Sequence, residues 1–170
     1  MKAVSVFFLV VFLLHSCNSE KSIKNSSISV NTLTSDIETI QFSFQDASVP
    51  PDDHRSYSYI LRPSSLQFVV DSYGTVLKDT TIQYDPNKWE SICQALKDCA
   101  LSKNPMEEKE DQGCSGGTGN SLTITFLDGK SISASRYHCG GHFYGDLHGD
   151  VECFEKEVRA DLDPTVFSYD

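Results

Sequence analysis

The sequence predicts an α+β domain in which two amphipathic helices pack on an antiparallel sheet. Three observations lead to this fold class. Short segments before residue 85 alternate apolar and polar residues, as half-buried strands do. Two later segments repeat apolar residues at helical spacing. An Asp-Gly turn joins two more alternating segments, so the order is several strands, a helix, a hairpin and a helix.

The early strands are read from alternation and from the turns between them. Pro50 and Pro51 block both helix and strand pairing, so they separate the first strand from the second. A denser apolar run at 66–70 and a short segment at 80–84 complete four or five predicted strands. The alternating residues of the first two strands are Ile40, Phe42 and Phe44, and then Tyr57, Tyr59 and Leu61.

The first helix is predicted to begin after Asp85, whose carboxylate caps it, with Pro86 at the first helical position. Asn104-Pro105 is expected to end it. An acidic, glycine-containing loop over 106–119 follows, and we interpret its charge as a solvated surface. The apolar stripe of the helix comprises Trp89, Ile92, Cys93, Leu96 and Ala100.

The hairpin has two conceivable registers, and burial decides between them. A three-residue loop with Gly129 at a left-handed position pairs Ile124 with Ile132 and Leu122 with Ala134. A two-residue loop would place the apolar side chains opposite serines, so we predict the first register. The last helix is predicted over 150–162, before Asp163-Pro164, with apolar residues Val151, Phe154, Val158 and Leu162.

Composition and the N-terminus limit the class of protein. The 170 residues allow one domain, and 24 acidic against 14 basic side chains argue against nucleic-acid binding. Lys2 precedes a largely apolar run at 3–14, the layout of a secretory signal. As a helix this run is about 18 Å long, too short to span a membrane core of ~30 Å. We therefore predict export.

The end of this signal, Leu14-His15-Ser16-Cys17, resembles the lipobox of a bacterial lipoprotein, although His15 departs from the usual small or apolar residue. The resemblance implies removal of residues 1–16, a diacylglyceryl group on Cys17 and palmitate-type chains that anchor the protein. Ser, Thr and Asn dominate the next segment, so we predict a tether over 17–36 and a single domain over 37–170. The alternatives are plain secretion and, within the tether, an edge strand at 28–33.

The overall layout resembles small uncharacterised lipoproteins of the kind common in Bacteroidota. The shared features are the lipobox, the Ser/Asn tether, the Phe-x-Phe strand at 42–44, the helix opening Asp85-Pro86-x-x-Trp89, the hairpin at 122–129 and a terminal amphipathic helix. The resemblance implies a cell-envelope location, either periplasmic or surface-facing. It carries no catalytic signature.

Five further cysteines predict disulfides, because an exported protein meets an oxidising compartment. Cys93 and Cys99 lie six residues apart on one predicted helix, about 9 Å along its axis, which is too far for a bond that needs Cα atoms within ~7 Å. Cys114–Cys139 is the first predicted bridge, because it closes the open end of the hairpin. Cys153 is expected to pair with either Cys93 or Cys99.

Residues 137–150 concentrate the side chains that bear chemistry. His138, Cys139, His142 and His148 are of the types that bind zinc, although their spacing matches no specific ligand motif. A second hypothesis makes Cys139 a nucleophile activated by His138 or His142. The third interpretation, which we favour, is a glycine-rich connection with surface histidines. The glycines at 113–119 match neither a P-loop nor a dinucleotide fingerprint, so no cofactor is predicted.

The sequence thus supports three hypotheses. The leading one is an envelope lipoprotein whose domain is a non-catalytic binding or structural module, with the membrane and an envelope protein as partners. The second is a metal-binding or thiol-active protein that uses residues 138–148. The third is a secreted, disulfide-bonded, inhibitor-like module.

Overall fold

A computed structural model of the protein describes residues 36–104 and 116–168. The predicted fold class is confirmed: a seven-stranded sheet and a two-stranded sheet are antiparallel, and two helices accompany them. Within these ranges, no helix is both long and apolar enough to cross a membrane.

The chain order is four strands, a helix, five strands of unequal length and a helix. The larger sheet has the strand order β4-β3-β2-β1-β6-β7-β8, and β5 pairs with β9. The strands are β1 (Ile37–Gln45), β2 (Ser56–Arg62), β3 (Ser65–Ser72), β4 (Thr75–Gln83), β5 (Ser102–Lys103), β6 (Thr118–Phe126), β7 (Ser131–Cys139), β8 (His142–Gly145) and β9 (Leu147–His148). The helices are α1 (Pro86–Asp98), α2 (Val151–Arg159) and a final 3₁₀ turn (Pro164–Phe167).

Both helices pack on the same face of the large sheet, which we call the inner face. Phe42, Tyr59 and Phe68 stand side by side on β1, β2 and β3 and are fully buried. Phe154 of α2 packs against Phe42 with ring centroids 5.9 Å apart. Because side chains alternate along a strand, the residues between these point to the opposite face, which we call the open face.

The hairpin between β6 and β7 has the predicted register. Ile124 lies opposite Ile132 and Leu122 opposite Ala134, and Gly129 has a φ of 80°. This register is favoured because shifting one strand by one residue would expose the apolar side chains of the hairpin and bury its serines.

Both helices begin as predicted and end earlier. Asp85 accepts a hydrogen bond from the Asn87 amide (2.8 Å), and Asp150 accepts one from the Cys153 amide (2.9 Å). The prediction that α1 includes Ala100 is wrong, because this residue adopts a φ of 53° and turns the chain into β5. The prediction that α2 runs to residue 162 is also wrong, because the backbone leaves the helical region at Ala160 (ψ 139°) and Asp161 is left-handed (φ 61°). In both cases the local backbone conformation outweighs the apolar periodicity.

The segment after the hairpin is more ordered than the predicted connection. Gly140 and Gly141, with φ values of 59° and 78°, form a two-residue turn that pairs Cys139 with His142. Positive φ at both central positions suits the right-handed twist of a hairpin. The chain therefore returns as β8 and then pairs β9 with β5 before α2 begins.

Candidate functional site

The expectation of disulfides is confirmed by Cys99–Cys153, whose Cα atoms are 5.7 Å apart and which joins the end of α1 to α2. Cys93 is a free, buried thiol, and burial raises its pKa to about 12. Cys139 is also disulfide-bonded. The predicted partner Cys114 and the predicted lipidation site Cys17 lie outside the described residues.

The predicted His/Cys ligands do not converge on one centre. His138 stacks on Phe143 with ring centroids 4.6 Å apart, whereas Nε2 of His148 lies 2.9 Å from the Asn104 carbonyl oxygen. His142 is exposed beside the Gly-Gly turn. In the described part of the chain, no group of three or more His, Cys, Asp or Glu side chains is placed to hold a metal ion. The bonded sulfur of Cys139 also leaves no thiol for nucleophilic attack.

A second cluster joins α2 to β2 on the inner face. The Tyr57 hydroxyl donates to Oε1 of Glu155 (2.7 Å), and Nε of Arg159 donates to the Tyr59 hydroxyl oxygen (2.7 Å). The guanidinium also lies 5.2 Å from the Phe167 ring centroid. Burial, followed by the Glu155 carboxylate, raises the pKa of both tyrosines. These side chains satisfy one another's hydrogen-bonding groups, so we interpret the cluster as a structural contact that holds α2 against the sheet.

The open face of the central strands is lined by rows of uncharged side chains. The register places Ser43, Ser121 and Ser135 in one row across β1, β6 and β7. Two further rows toward the hairpin are Gln41–Thr123–Ser133 and Thr39–Thr125–Ser131. Since 22% of the whole chain is charged, these uncharged rows set this surface apart from the rest of the molecule.

A groove of about 360 Å³ lies at one end of this face. Its outermost row is Gln45–Gly119–Tyr137–Tyr144, which crosses four strands. Gly119 has no side chain, so it forms the floor between the Gln45 side chain and the Tyr137 ring. The two tyrosine rings are 6.4 Å apart, and Tyr137 is 37% exposed.

Hydrogen bonds within and beneath the groove fix its shape. The Gly117 amide donates to the Tyr137 hydroxyl oxygen (2.9 Å), which holds the ring in place. The hydroxyls of Ser43 and Ser121 bond to each other at 2.7 Å. Arg136 also borders the groove, but its guanidinium donates to the Gly149 carbonyl (3.1 Å) and lies over the Phe143 ring on the inner side.

The side chains of this groove are of types that contact and hydrogen-bond a ligand. Aromatic rings, hydroxyls and an amide offer contact area and hydrogen bonds. The described lining contains no carboxylate or imidazole that would serve as a general acid or base. From the sequence alone, aromatics such as Tyr144 could form a recognition surface, but their alternation also predicts sheet core or cover, so the sequence did not single out this site. The alternation in β6 and β7 is visible in the sequence, but the pairing of β6 with β1 is not.

Another recess lies beside the loop between β1 and β2. His54 is 4% exposed and stacks on Tyr73, with ring centroids 4.0 Å apart. The Tyr73 hydroxyl donates to the Val49 carbonyl (2.6 Å), so the pair ties this loop to the β3–β4 turn. The buried Nδ1 of His54 has no hydrogen-bond partner among the described residues.

Comparison of the chain with protein-family models, with curated proteins and with solved structures yields no match.

Proposed function

We propose that this chain is a lipoprotein anchored in a bacterial envelope membrane through Cys17, and that its α+β domain is a non-catalytic binding module. The anchor is supported by the charged and apolar start of the sequence and by the Leu14-to-Cys17 motif. The binding role rests on one observation, the uncharged rows that β1, β6 and β7 present on the open face, with their tyrosine-walled groove.

Desolvation explains why this face suits a binding surface. An antiparallel sheet tolerates water on one face, and charged side chains usually keep such a face wet. Taking charges out of water is unfavourable unless each one finds a partner. Rows of Ser, Thr and Gln carry no such penalty, because a ligand's own hydroxyls or amides replace water at each group.

The position of the groove also fits an anchored module. The proposed tether enters at Ile37, beside the β6–β7 turn, where the Leu127 amide donates to the Asp36 carbonyl (2.9 Å). The groove lies at the other end of β1, at Gln45. Eight residues of strand separate the two ends by about 26 Å. The groove therefore lies at the end of β1 opposite the point where the proposed tether enters, so the tether leaves it accessible.

The anchor is tested by metabolic labelling of the producing cells with an alkyne fatty acid. We expect label on the parent chain and on Cys93→Ala, and none on Cys17→Ala. Label that persists on Cys17→Ala, or an unlabelled parent that is released into the medium, contradicts the anchor. The second result favours the secreted alternative.

The binding role is tested in the same cells with a photocrosslinking amino acid. One variant carries it at Ser135, which is exposed on the open face and lines the groove. The matched control carries it at Gln94, which is exposed on α1. We expect a discrete adduct from position 135 and none from position 94. The absence of an adduct at 135, or equal adducts from both positions, contradicts a binding role for this face.

A further inference from the structure

We propose that the groove between Gln45 and Tyr137 binds a neutral polysaccharide, with a sugar ring against Tyr137 and the chain continuing along the open face. This inference rests on the proposed binding function and specifies its ligand. Charge, aromatic geometry, hydrogen-bonding capacity and the position of the groove within the sheet each support it.

The charge of the groove selects an uncharged ligand. Its two rows consist of Gln, Gly, Tyr and Ser and contain no acidic or basic residue, and Arg136 directs its guanidinium to Gly149 and Phe143 on the inner side. A phosphate, sulfate or uronate group would be desolvated here without a cation to pair with it. The chain's net charge of −10 further disfavours acidic ligands.

The position within the sheet argues against an extended peptide. Peptides that add to sheets bind at an edge, where backbone N–H and C=O groups lack partners. Most of the groove instead lies on β1, β6 and β7, which are internal strands, and Tyr144 and Gly145 are its only described lining residues from the edge strand β8. Recognition must therefore come from side chains that meet the ligand on the face of the sheet.

Tyr137 provides a fixed aromatic platform. Its ring is 37% exposed, tilts by 39° relative to Tyr144, and is held by the hydrogen bond from Gly117. A side chain at position 117 would collide with this ring, so the glycine permits the arrangement. A pyranose presents C–H groups on one face, which pack on an aromatic ring, and a ring already held in place loses little entropy on binding.

Polar groups beside the platform match the outer edge of a sugar. The Gln45 amide both donates and accepts, as do the hydroxyls of Ser43, Ser121 and Ser135. The Ser43–Ser121 bond leaves acceptor capacity on both oxygens. Because the serine, threonine and glutamine rows continue from the groove toward residue 39, a polymer gains contacts that a single sugar does not.

The test uses the full chain, solubilised in a polyoxyethylene detergent and run through native gels that contain one polysaccharide each. The neutral probes are dextran, mannan, xylan and β-glucan, and polygalacturonate is the acidic probe. We expect at least one neutral polymer to retard the parent chain, and polygalacturonate to leave its mobility unchanged.

Two variants assign any retardation to the groove. Tyr137→Ala removes the platform. Gly119→Thr fills the floor at a position where an added Cβ has no contact closer than 3.5 Å, so this variant is expected to fold even if Tyr137→Ala does not. Each is expected to weaken binding by about tenfold, the scale of a buried aromatic contact. Val76→Ala, at an exposed position of β4 on the far side of the sheet, should bind as the parent does.

Three results would overturn the proposal: no retardation by any neutral polymer, retardation that Gly119→Thr leaves unchanged, or stronger retardation by polygalacturonate. If no neutral polymer binds while the Ser135 adduct forms in cells, the polysaccharide inference fails and the binding function stands. If neither occurs, both fail.

Discussion

The two faces of the large sheet are built from the same strands and have opposite chemistry. On the inner face, Phe42 is fully buried against Tyr59 and Phe154. Its chain neighbours Gln41 and Ser43 point to the open face, where Gln41 is exposed and Ser43 is half-buried. The alternation of side chains along a strand thus separates the residues of the core from those of the face on which we propose recognition. One face holds the fold together, and the other is available to a ligand.

The sharpest test of this division compares adjacent residues of β1. Phe42→Ala removes a fully buried ring and should lower the free energy of unfolding by about 3–5 kcal/mol. Gln41→Ala should change it by no more than about 0.5 kcal/mol, because an exposed side chain is lost. Chemical denaturation of both variants measures the difference. A comparable loss for Gln41→Ala would mean that the open face is covered and structural.

The next largest effect belongs to the disulfide behind the inner face. The Cys99–Cys153 bond joins residues 54 apart, so the double variant Cys99→Ala/Cys153→Ala should lose about 2–4 kcal/mol, chiefly because the unfolded chain becomes less restricted. The matched variant Cys93→Ala, which removes a buried thiol without breaking a bond, should lose less. Thermal unfolding without reductant tests this order, and equal losses would contradict it.

The buried tyrosines of the inner face should also make the free energy of unfolding decrease at alkaline pH. Burial raises the pKa values of Tyr57 and Tyr59 above the ordinary value of 10.0. The folded chain then retains protons that the unfolded chain loses. The stability is therefore complete below about pH 10 and falls as pH rises further, by at most about 1.4 kcal/mol per pH unit for each tyrosine. Because burial also raises the pKa of the Cys93 thiol, this residue should lower the stability as pH rises above about 9, the ordinary pKa of a cysteine.

Denaturation at a series of pH values from 8 to 11 measures this slope. Tyr57→Phe should reduce it, because the variant keeps the ring and removes the titrating hydroxyl. A slope that is the same in Tyr57→Phe and in the parent would exclude this tyrosine as its source.

The last substitution should have a small effect on stability and a large effect on binding. Gly119→Thr replaces a strand glycine with a β-branched residue, so the free energy of unfolding should stay constant or rise by up to about 1 kcal/mol. The same change fills the groove and should remove the photocrosslinked adduct from Ser135. Marked destabilisation by this substitution would show that Gly119 supports the fold as well as the groove.

Much of the fold was predictable because it depends on local patterns. Alternation locates β1 and β2, a dense apolar run locates β3, the Asp85-Pro86 pair locates the start of α1, and burial alone selects the hairpin register. The ends of the helices were not predictable from periodicity, because Ala100 and Asp161 adopt left-handed conformations that no glycine announces. The β7–β8 turn did carry a signal, since Gly140-Gly141 between alternating residues is typical of a two-residue hairpin.

The candidate site was less accessible to sequence reasoning. Tyr137 and Gln45 are 92 residues apart in the chain, and they face one groove because β6 lies between β1 and β7. Strand order in a sheet is set by long-range packing, which no local pattern specifies. Conversely, the histidines at 138, 142 and 148 suggested a metal site because they are close in sequence. In the structure, His138 instead stacks on Phe143, and His148 contacts the Asn104 carbonyl oxygen.

The most direct test of the central claim is hydroxyl-radical footprinting of the unmodified protein, in intact cells and after purification in detergent. Oxidation of Tyr137 reports the open face, and oxidation of Phe143 reports the opposite face of the same hairpin. If the open face binds an envelope component, Tyr137 will be oxidised more slowly in cells than in detergent, and the rate for Phe143 will be the same in both. Equal rates for Tyr137 in cells and in detergent would contradict the account.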